Sequence, residues 1–316
     1  MIEVLVVETA QEAENVKSLR LVRADGELFP PFRGGAHIDV VGPTGIMRQY
    51  SLCSPPSERG SLMIAVKREA DSRGGSQALH EVQEGDALSI AEPRNLLALA
   101  DDADLHMLIG GGIGITPLLA MAYELHDRGE RFEVHYFARA REEAAFLTLL
   151  EGTASFGGSV RVYIGVPRDE QTAIFAGLGP ILTSNSHVYT CGPVGFMNAV
   201  RNGVLDVIGE DNFHIEHFEA AEVDKSDDSA FEVELDTGEE FEIPADKSIL
   251  SVLEENGIEV FKSCEEGICG SCISGVLEGV PDHRDNCLSA AEKKEGDKIA
   301  LCVSRSLGRK LLIELY

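Results

Sequence analysis

The sequence is short of positive charge. Its 316 residues carry 27 Lys and Arg against 54 Asp and Glu, a formal net charge of −27. So acidic a chain repels nucleic-acid phosphates and anionic membrane surfaces, which excludes both as expected partners and leaves a basic protein surface. Seven cysteines are too few for a disulfide scaffold at this length. The first residues, MIEVLVVETAQEAE, have no basic stretch and only a short apolar one. No secretory signal is read, and a monomer in the cytoplasm is expected. A membrane helix is missing too. Leu105 to Tyr123 is uncharged and close to spanning length, but Gly110, Gly111, Gly112, Gly114 and Pro117 interrupt it. Glycines that dense break a helix, so a strand, a turn and a helix start are expected there.

What is present is ordinary globular composition, 44% hydrophobic and 26% charged, long enough for two or three domains. Residues 1 to about 98 read as short strands: Val4–Val7, Lys17–Val22, His37–Val41, Gln49–Cys53, Leu62–Val66 and Ala87–Ile90, with a short helix over Gln77–Gln83. Pro and Gly pairs punctuate them, which suits an antiparallel β-barrel. Strands then alternate with helices, implying an α/β domain with a parallel sheet. The strands are Leu105–Ile109, Phe132–Ala138, Val160–Ile164 and His187–Thr190; the helices start at Thr116-Pro117, at Arg141 (to Leu150) and at Val194 (to Val207). Thr116 is the expected N-cap. The charged run after Phe218, EAAEVDKSDDSA, reads as a linker. Beyond it come a hairpin, Phe231–Leu235 and Glu240–Ile243, and a helix over Ser248–Asn256 with Gly257 at its end. Residues 224–316 hold 22 Asp and Glu against 10 Lys and Arg. Acidity is therefore slightly concentrated at this end.

Cys264-Glu-Glu-Gly-Ile-Cys269-Gly-Ser-Cys272, with Cys302 downstream, has the spacing of a plant-type 2Fe–2S site. Such a site needs four thiolates converging on two irons. One tight loop supplies three, and Gly267, Gly270 and Ser271 let it fold with N–H groups turned toward sulfur. Zinc would favour a second C-x2–4-C pair, which is missing, and disulfides are out of place without a signal peptide. Cys302, in the strand-like stretch Ile299–Val303, is the expected fourth ligand. Cys287 reads as an ordinary thiol and Cys53 as barrel core.

Gly110-Gly-Gly-Ile-Gly114-Ile-Thr116-Pro117 follows a strand and opens a helix. Free N–H groups and the dipole at a helix N-terminus suit a pyrophosphate; a tight structural turn is the alternative. Pro117 stands where the dinucleotide fingerprint has its third glycine, and Ala138, Arg139 and Ala140 replace the acidic residue after the next strand. A nucleotide would be held differently from a standard Rossmann enzyme.

These motifs resemble a known family. Gly110 to Pro117 resembles the GGxGxTP pattern of the ferredoxin–NADP reductase superfamily, Cys191-Gly192-Pro193 its CGP motif beside the nicotinamide, and Arg48-Gln49-Tyr50-Ser51 its flavin motif R-x-Y-S. With a plant-type ferredoxin at the end, the order is that of the phthalate dioxygenase reductase family, which includes vanillate demethylase reductases. The resemblance covers the whole chain. It implies an FMN-binding β-barrel over 1–99, a nicotinamide-binding α/β domain over 100–220, a linker over 221–229 and an α+β, β-grasp ferredoxin domain over 230–316.

By the same resemblance Arg48 pairs with the flavin phosphate, Tyr50 packs along the isoalloxazine and Ser51 hydrogen-bonds near its N5. Lys67-Arg68 and Arg73-Gly74-Gly75-Ser76 resemble a phosphate-binding segment of FMN-type members. Gly111, Gly112, Gly114, Thr116, Pro117 and Arg139 would hold the nucleotide. Cys191, Gly192 and Pro193 would face the nicotinamide, and Phe218 would cover the flavin. NADH is favoured over NADPH, because no Ser precedes Arg139. The expected activity is electron transfer from NADH through FMN and the 2Fe–2S cluster to a terminal oxygenase with a Rieske centre; a haem monooxygenase is the alternative acceptor.

Overall fold

The computed structural model describes residues 1–69, 74–221, 223 and 225–315. The chain divides into two compact units, Met1–Glu216 and His217–Tyr316.

The first unit opens with an antiparallel sheet. Its elements are β1 (Ile2–Ala13), β2 (Val16–Arg23), β3 (Ala36–Val41), β4 (Met47–Ser51), β5 (Leu62–Lys67), helix α1 (Gly75–Glu81), β6 (Ala87–Ile90) and β7 (Arg94–Asn95). The order is β4-β3-β6-β1-β2-β5, with β7 beside β3. A lone antiparallel pair, Leu52 with Ile64, ties the β4 side to β5 and closes the barrel. Alternation drives it. Val4 and Val6 are buried while Leu5 and Val7 face outward, and Leu19, Leu21, Ile38, Val40 and Ile64 complete the interior.

The second sheet of this unit comprises β8 (Leu105–Gly111), α2 (Ile115–Arg128), β9 (Phe132–Ala138), β10 (Val160–Ile164), α3 (Arg168–Ala176), β11 (Ser186–Cys191), α4 (Val194–Ile208) and β12 (Phe213–Glu216). The five strands run parallel in the order β10-β9-β8-β11-β12. The order reverses between β8 and β11, and ligand crevices in such sheets open at the carboxyl ends beside that switch. Helix α2 covers one face; α3 and α4 cover the other. Barrel and parallel sheet share a core, in which Cys53 and Leu97 join Leu118 and Met121. Cys53 is thus buried in the shared core, not in the barrel's interior cluster.

The uncharged stretch from Leu105 resolves into β8 and α2, and among the described residues no helix is long and apolar enough to cross a membrane. Two expectations need correcting. Helix α2 is capped by Gly114, not Thr116, whose hydroxyl lies inside the helix and donates to the Ile113 carbonyl at 2.9 Å. The helix expected over Arg141–Leu150 is a single turn, Arg141–Glu143, and a later turn at Leu149–Thr153. Between them Ala144, Ala145 and Phe146 are all buried. Phe146 turns into the left-handed region at φ 58°, which a right-handed helix cannot carry through. Helix α3, polar and burying only Phe175, carried no periodic signal.

The second unit holds β13 (Phe231–Leu235), β14 (Glu240–Ile243), α5 (Ile249–Glu255), β15 (Ile273–Glu278), β16 (Pro281–Asp282), α6 (Ala290–Glu295), β17 (Lys298–Ala300), β18 (Arg305–Ser306) and β19 (Lys310–Glu314). Its main sheet runs β14-β13-β19-β15-β17, and β16 pairs β18 separately. Strands β13 and β19 are parallel; the other pairs are antiparallel. Ser248 caps α5 by accepting from the Ser251 N–H, and Ser289 and Glu292 form a capping box on α6. Leu250 and Leu253 of α5 pack on Val233, Ile299 and Leu311 of the sheet. Antiparallel barrel, parallel α/β sheet and mixed α+β sheet together are the expected fold class. Strand β17 ends at Ala300, so Cys302 lies in a turn rather than a strand.

Candidate functional site

In the second unit, Cys264, Cys269, Cys272 and Cys302 are each at most 9% exposed. They stand as two pairs. The Cys264 and Cys269 thiols interact directly, which lowers Cys269 and raises Cys264. Cys302 likewise interacts with Cys272, which is lowered while Cys302 is raised. Among the described residues no three His, Cys, Asp or Glu side chains gather in a way that suits one metal ion. Two pairs of thiols suit two irons instead, two ligands to each. Backbone donors surround the sulfurs. Glu266 N–H reaches Cys264 Sγ at 3.3 Å and Ser271 N–H reaches Cys269 Sγ at 3.4 Å. Gly267 and Gly270, at φ 71° and 70°, supply the backbone turns that aim them. The residues present therefore fit a 2Fe–2S cluster. Cys287 stands apart, its thiol donating to Asp285 Oδ2 at 3.5 Å.

In the first unit the carboxyl ends of β8 and β11 meet. Cys191 lies beside Gly110 in parallel register. A Cβ on Gly114 would fall 2.2 Å from the Cys191 carbonyl oxygen, and one on Gly192 would fall 3.1 Å from Gly111 Cα. Bare backbone is what lets the glycine turn and the Cys191-Gly192 turn touch. Gly112, at φ 58°, has open space where a side chain would stand. Thr116 and Pro117 are buried in the first turn of α2, and Pro193 caps α4. Arg139 is exposed just beyond β9.

The barrel reaches the same place. Ser51, 6% exposed at the end of β4, donates to Glu216 Oε2 at 3.4 Å. Glu216 ends β12 and lies in register with Cys191. Burial pushes its carboxyl up to about 8; burial, then Glu216, drives the Cys191 thiol well above its ordinary value. Both groups are thus uncharged near neutrality. Glu216 escaped the sequence reading, because a lone Glu before His217 has no motif and its raised pKa comes from packing alone.

Opposite Ser51 on β3 lies His37. It is 4% exposed, and neither ring nitrogen has a hydrogen-bond partner among the described residues. Burial, then Arg94, lowers it to about 4, so the ring is neutral. A buried imidazole with donor and acceptor both unmet fits a site completed by a bound polar group. Tyr50, opposite Ile38 and packed against the barrel core, is pushed up to about 12 by burial. Arg48 donates to the Met47 carbonyl at 2.6 Å. A Cβ on Gly75 would stand 3.3 Å from Arg48 Cγ, so the fold brings Arg48 to the Gly74-Gly75-Ser76 turn.

The remaining expected residues are more scattered. The Ser76 hydroxyl accepts from the Glu69 N–H at 3.3 Å, and the exposed Lys67 ammonium pairs with Glu69 at 2.7 Å. Arg73 lies outside the described residues. Phe218 belongs to the second unit and is 40% exposed.

Comparison with known proteins is consistent across the chain. Residues 233–307 match the family described as the 2Fe-2S iron-sulfur cluster binding domain. The vanillate O-demethylase oxidoreductase of Pseudomonas sp. (strain HR199 / DSM 7063) is 42% identical over 318 residues, with all of both chains covered. A solved phthalate dioxygenase reductase, described as a modular structure for electron transfer from pyridine nucleotides to [2Fe-2S], is 35% identical at a TM-score of 0.72, covering 99% of this chain and 98% of that one. An intact type IV self-sufficient cytochrome P450 monooxygenase is 36% identical at a TM-score of 0.88 over 99% of this chain, which spans 40% of it.

Proposed function

The chain belongs to the family of the vanillate O-demethylase oxidoreductases and phthalate dioxygenase reductases, and from that premise we propose that it is the reductase component of a two-component oxygenase. It would pass electrons from NADH through FMN and a 2Fe–2S cluster to a terminal oxygenase with a Rieske centre. Residues 1–99 would hold FMN, 100–220 the nicotinamide nucleotide and 230–316 the cluster, with 221–229 as linker. When bound, flavin accepts a hydride's two electrons together and releases them singly, which matches a one-electron cluster to a two-electron donor.

The observation that carries this reading is the meeting of Ser51 with Glu216 beside Cys191. A barrel strand end and two parallel-strand ends converge where hydride donor and acceptor rings would stack. The chain's task there is orientation, since hydride transfer between stacked rings depends on positioning. Gly114 and Gly192 let the two strand-end turns touch, and Gly111 leaves room for the Phe196 ring. The neutral Cys191 thiol adds no charge to it. Ser51 Oγ and the Glu216 carboxyl together hold a proton below about pH 8. Arg48, beside the Gly74-Gly75 turn, would take the flavin phosphate, as guanidinium geometry suits a phosphate bidentately. Lys67, Arg73, Ser76, Arg139 and Phe218 keep the roles that the resemblance implies. The acidity of residues 224–316 would steer the cluster-bearing unit to a basic patch on the oxygenase.

The test is one purified sample. Its visible spectrum and iron content report the cluster, the released flavin identifies FMN, and NADH-dependent ferricyanide reduction reports the donor site. A colourless, inactive preparation after reconstitution with iron, sulfide and FMN defeats the reading. Reduction of the oxygenase should slow as ionic strength rises; a flat rate removes the steering. The P450 match supports a second reading, in which the acceptor is a haem. Reduction of a haem partner but not of a Rieske partner would favour it.

A further inference from the structure

The four cysteines leave one buried charge beside them unexplained. The Asp285 side chain has no exposed surface, yet it belongs to no cysteine motif. A buried carboxylate is costly unless donors surround it, and it can only accept. Here Oδ2 accepts from the Leu288 N–H at 2.8 Å and from the Cys287 thiol at 3.5 Å. Oδ1 accepts from the Ser304 hydroxyl at 3.3 Å, and that hydroxyl in turn accepts from the Arg284 N–H at 3.1 Å. Two cationic or titratable groups face it from outside: Lys293 Nζ at 3.7 Å from Oδ2 and His283 Nδ1 at 3.7 Å from Oδ1.

The placement of this hub matters more than its strength. Ser304 lies two residues past Cys302, on the turn that carries the fourth thiol. On its other side the same segment grips the three-cysteine loop. The Asn286 N–H donates to the Gly267 carbonyl at 2.7 Å, and a Cβ on Gly267 would stand 3.1 Å from Asp285 Cα and 2.6 Å from Val303 Cγ2. Gly267 sits between Cys264 and Cys269, and its N–H is bonded to Cys302. Segment 284–288 is thus the bracket between the loop holding three thiols and the turn holding the fourth.

We propose that Asp285 is a positioning residue for the iron–sulfur site, fixing the Cys302 turn against the Gly267 loop and placing a buried negative charge beside the cluster. The inference rests on the cluster reading above. Partners that orient metal ligands are worth roughly 10- to 100-fold in metal retention when removed, and a nearby negative charge disfavours an added electron.

The experiment compares wild-type full-length protein, loaded with FMN and cluster, with Asp285→Asn and Ser304→Ala. Bleaching of the visible cluster absorbance by an iron chelator gives retention, and a titration followed by electron paramagnetic resonance gives the midpoint potential. Asp285→Asn should bleach roughly tenfold faster and, in the fraction still loaded, show a potential more positive than both the wild type and Ser304→Ala, the comparison that separates loss of charge from looser packing. Ser304→Ala, which keeps the charge, should bleach faster with little change in potential. Wild-type bleaching by Asp285→Asn, or an unchanged potential in its loaded form, overturns the proposal. If Asp285→Asn takes up no cluster, Ser304→Ala decides: faster bleaching supports the proposal and the wild-type rate refutes it. Wild-type protein that takes up no iron defeats the cluster reading itself, and the inference with it.

Discussion

Ser51 and Glu216, 165 positions apart in the chain, share a hydrogen bond of 3.4 Å that joins the end of a barrel strand to the end of a parallel strand. Burial lifts the carboxyl from 4.5 to about 8. The folded state therefore holds a proton that the unfolded chain releases between about pH 4.5 and pH 8, and stability contributed by this group falls as pH rises through that window. Glu216→Gln should remove the slope. The melting temperature of the variant should gain on the wild type between pH 5 and pH 8 and keep a constant lead over it above pH 8. Parallel melting curves across that range would contradict the raised pKa.

Arg48→Ala should weaken FMN binding by roughly 10- to 100-fold, the loss expected when charge-assisted hydrogen bonds to a phosphate are removed. Riboflavin, which lacks the phosphate, should bind wild type and variant alike. Fluorescence quenching titrations with both flavins separate a phosphate contact from a general collapse of the barrel.

Gly114→Ala puts a methyl group 2.2 Å from the Cys191 carbonyl oxygen. The backbone must shift, and a loss of about 1–3 kcal/mol is expected by chemical denaturation, with weaker NADH binding. Gly195→Ala is the control. It lies in α4 with nothing within 4 Å of the added carbon, and it should be neutral or slightly stabilising.

Cys302→Ser should lose the cluster absorbance while keeping bound flavin and its NADH-dependent bleaching. Cys287→Ser should keep both. Iron and flavin content, measured on the two variants side by side, check whether the fourth ligand is Cys302.

Legibility in the sequence followed the physics of each feature. The thiol set was readable because a two-iron centre demands four cysteines at close spacing, and spacing is visible in one dimension. The glycine turn was readable for a related reason: Gly114 and Gly192 stand where two backbones touch, and no other residue fits. Barrel strands announced themselves by period-2 alternation, as in Val4 and Val6. Glu216 and Asp285 were silent, because each gains its character from groups brought together by the fold. Ala144 to Phe146 misled for the opposite reason. Their composition favours a helix, but the backbone turns at Phe146, φ 58°, while all three side chains are buried. Cys302 was singled out partly on a strand that stops at Ala300; the fold instead places it, buried, on the turn that follows.

The mixed sheet of the second unit places β19, the last of its strands in the chain, between β13 and β15. A ribosome therefore delivers the loop with Cys264, Cys269 and Cys272 well before the strand that holds both halves of the sheet together. Until residues 310–314 emerge, the first hairpin and the strand that follows the thiol loop have no sheet partner in common. Shortening β19 would therefore part the two halves of the sheet, and the turns built on them, without removing a single cysteine.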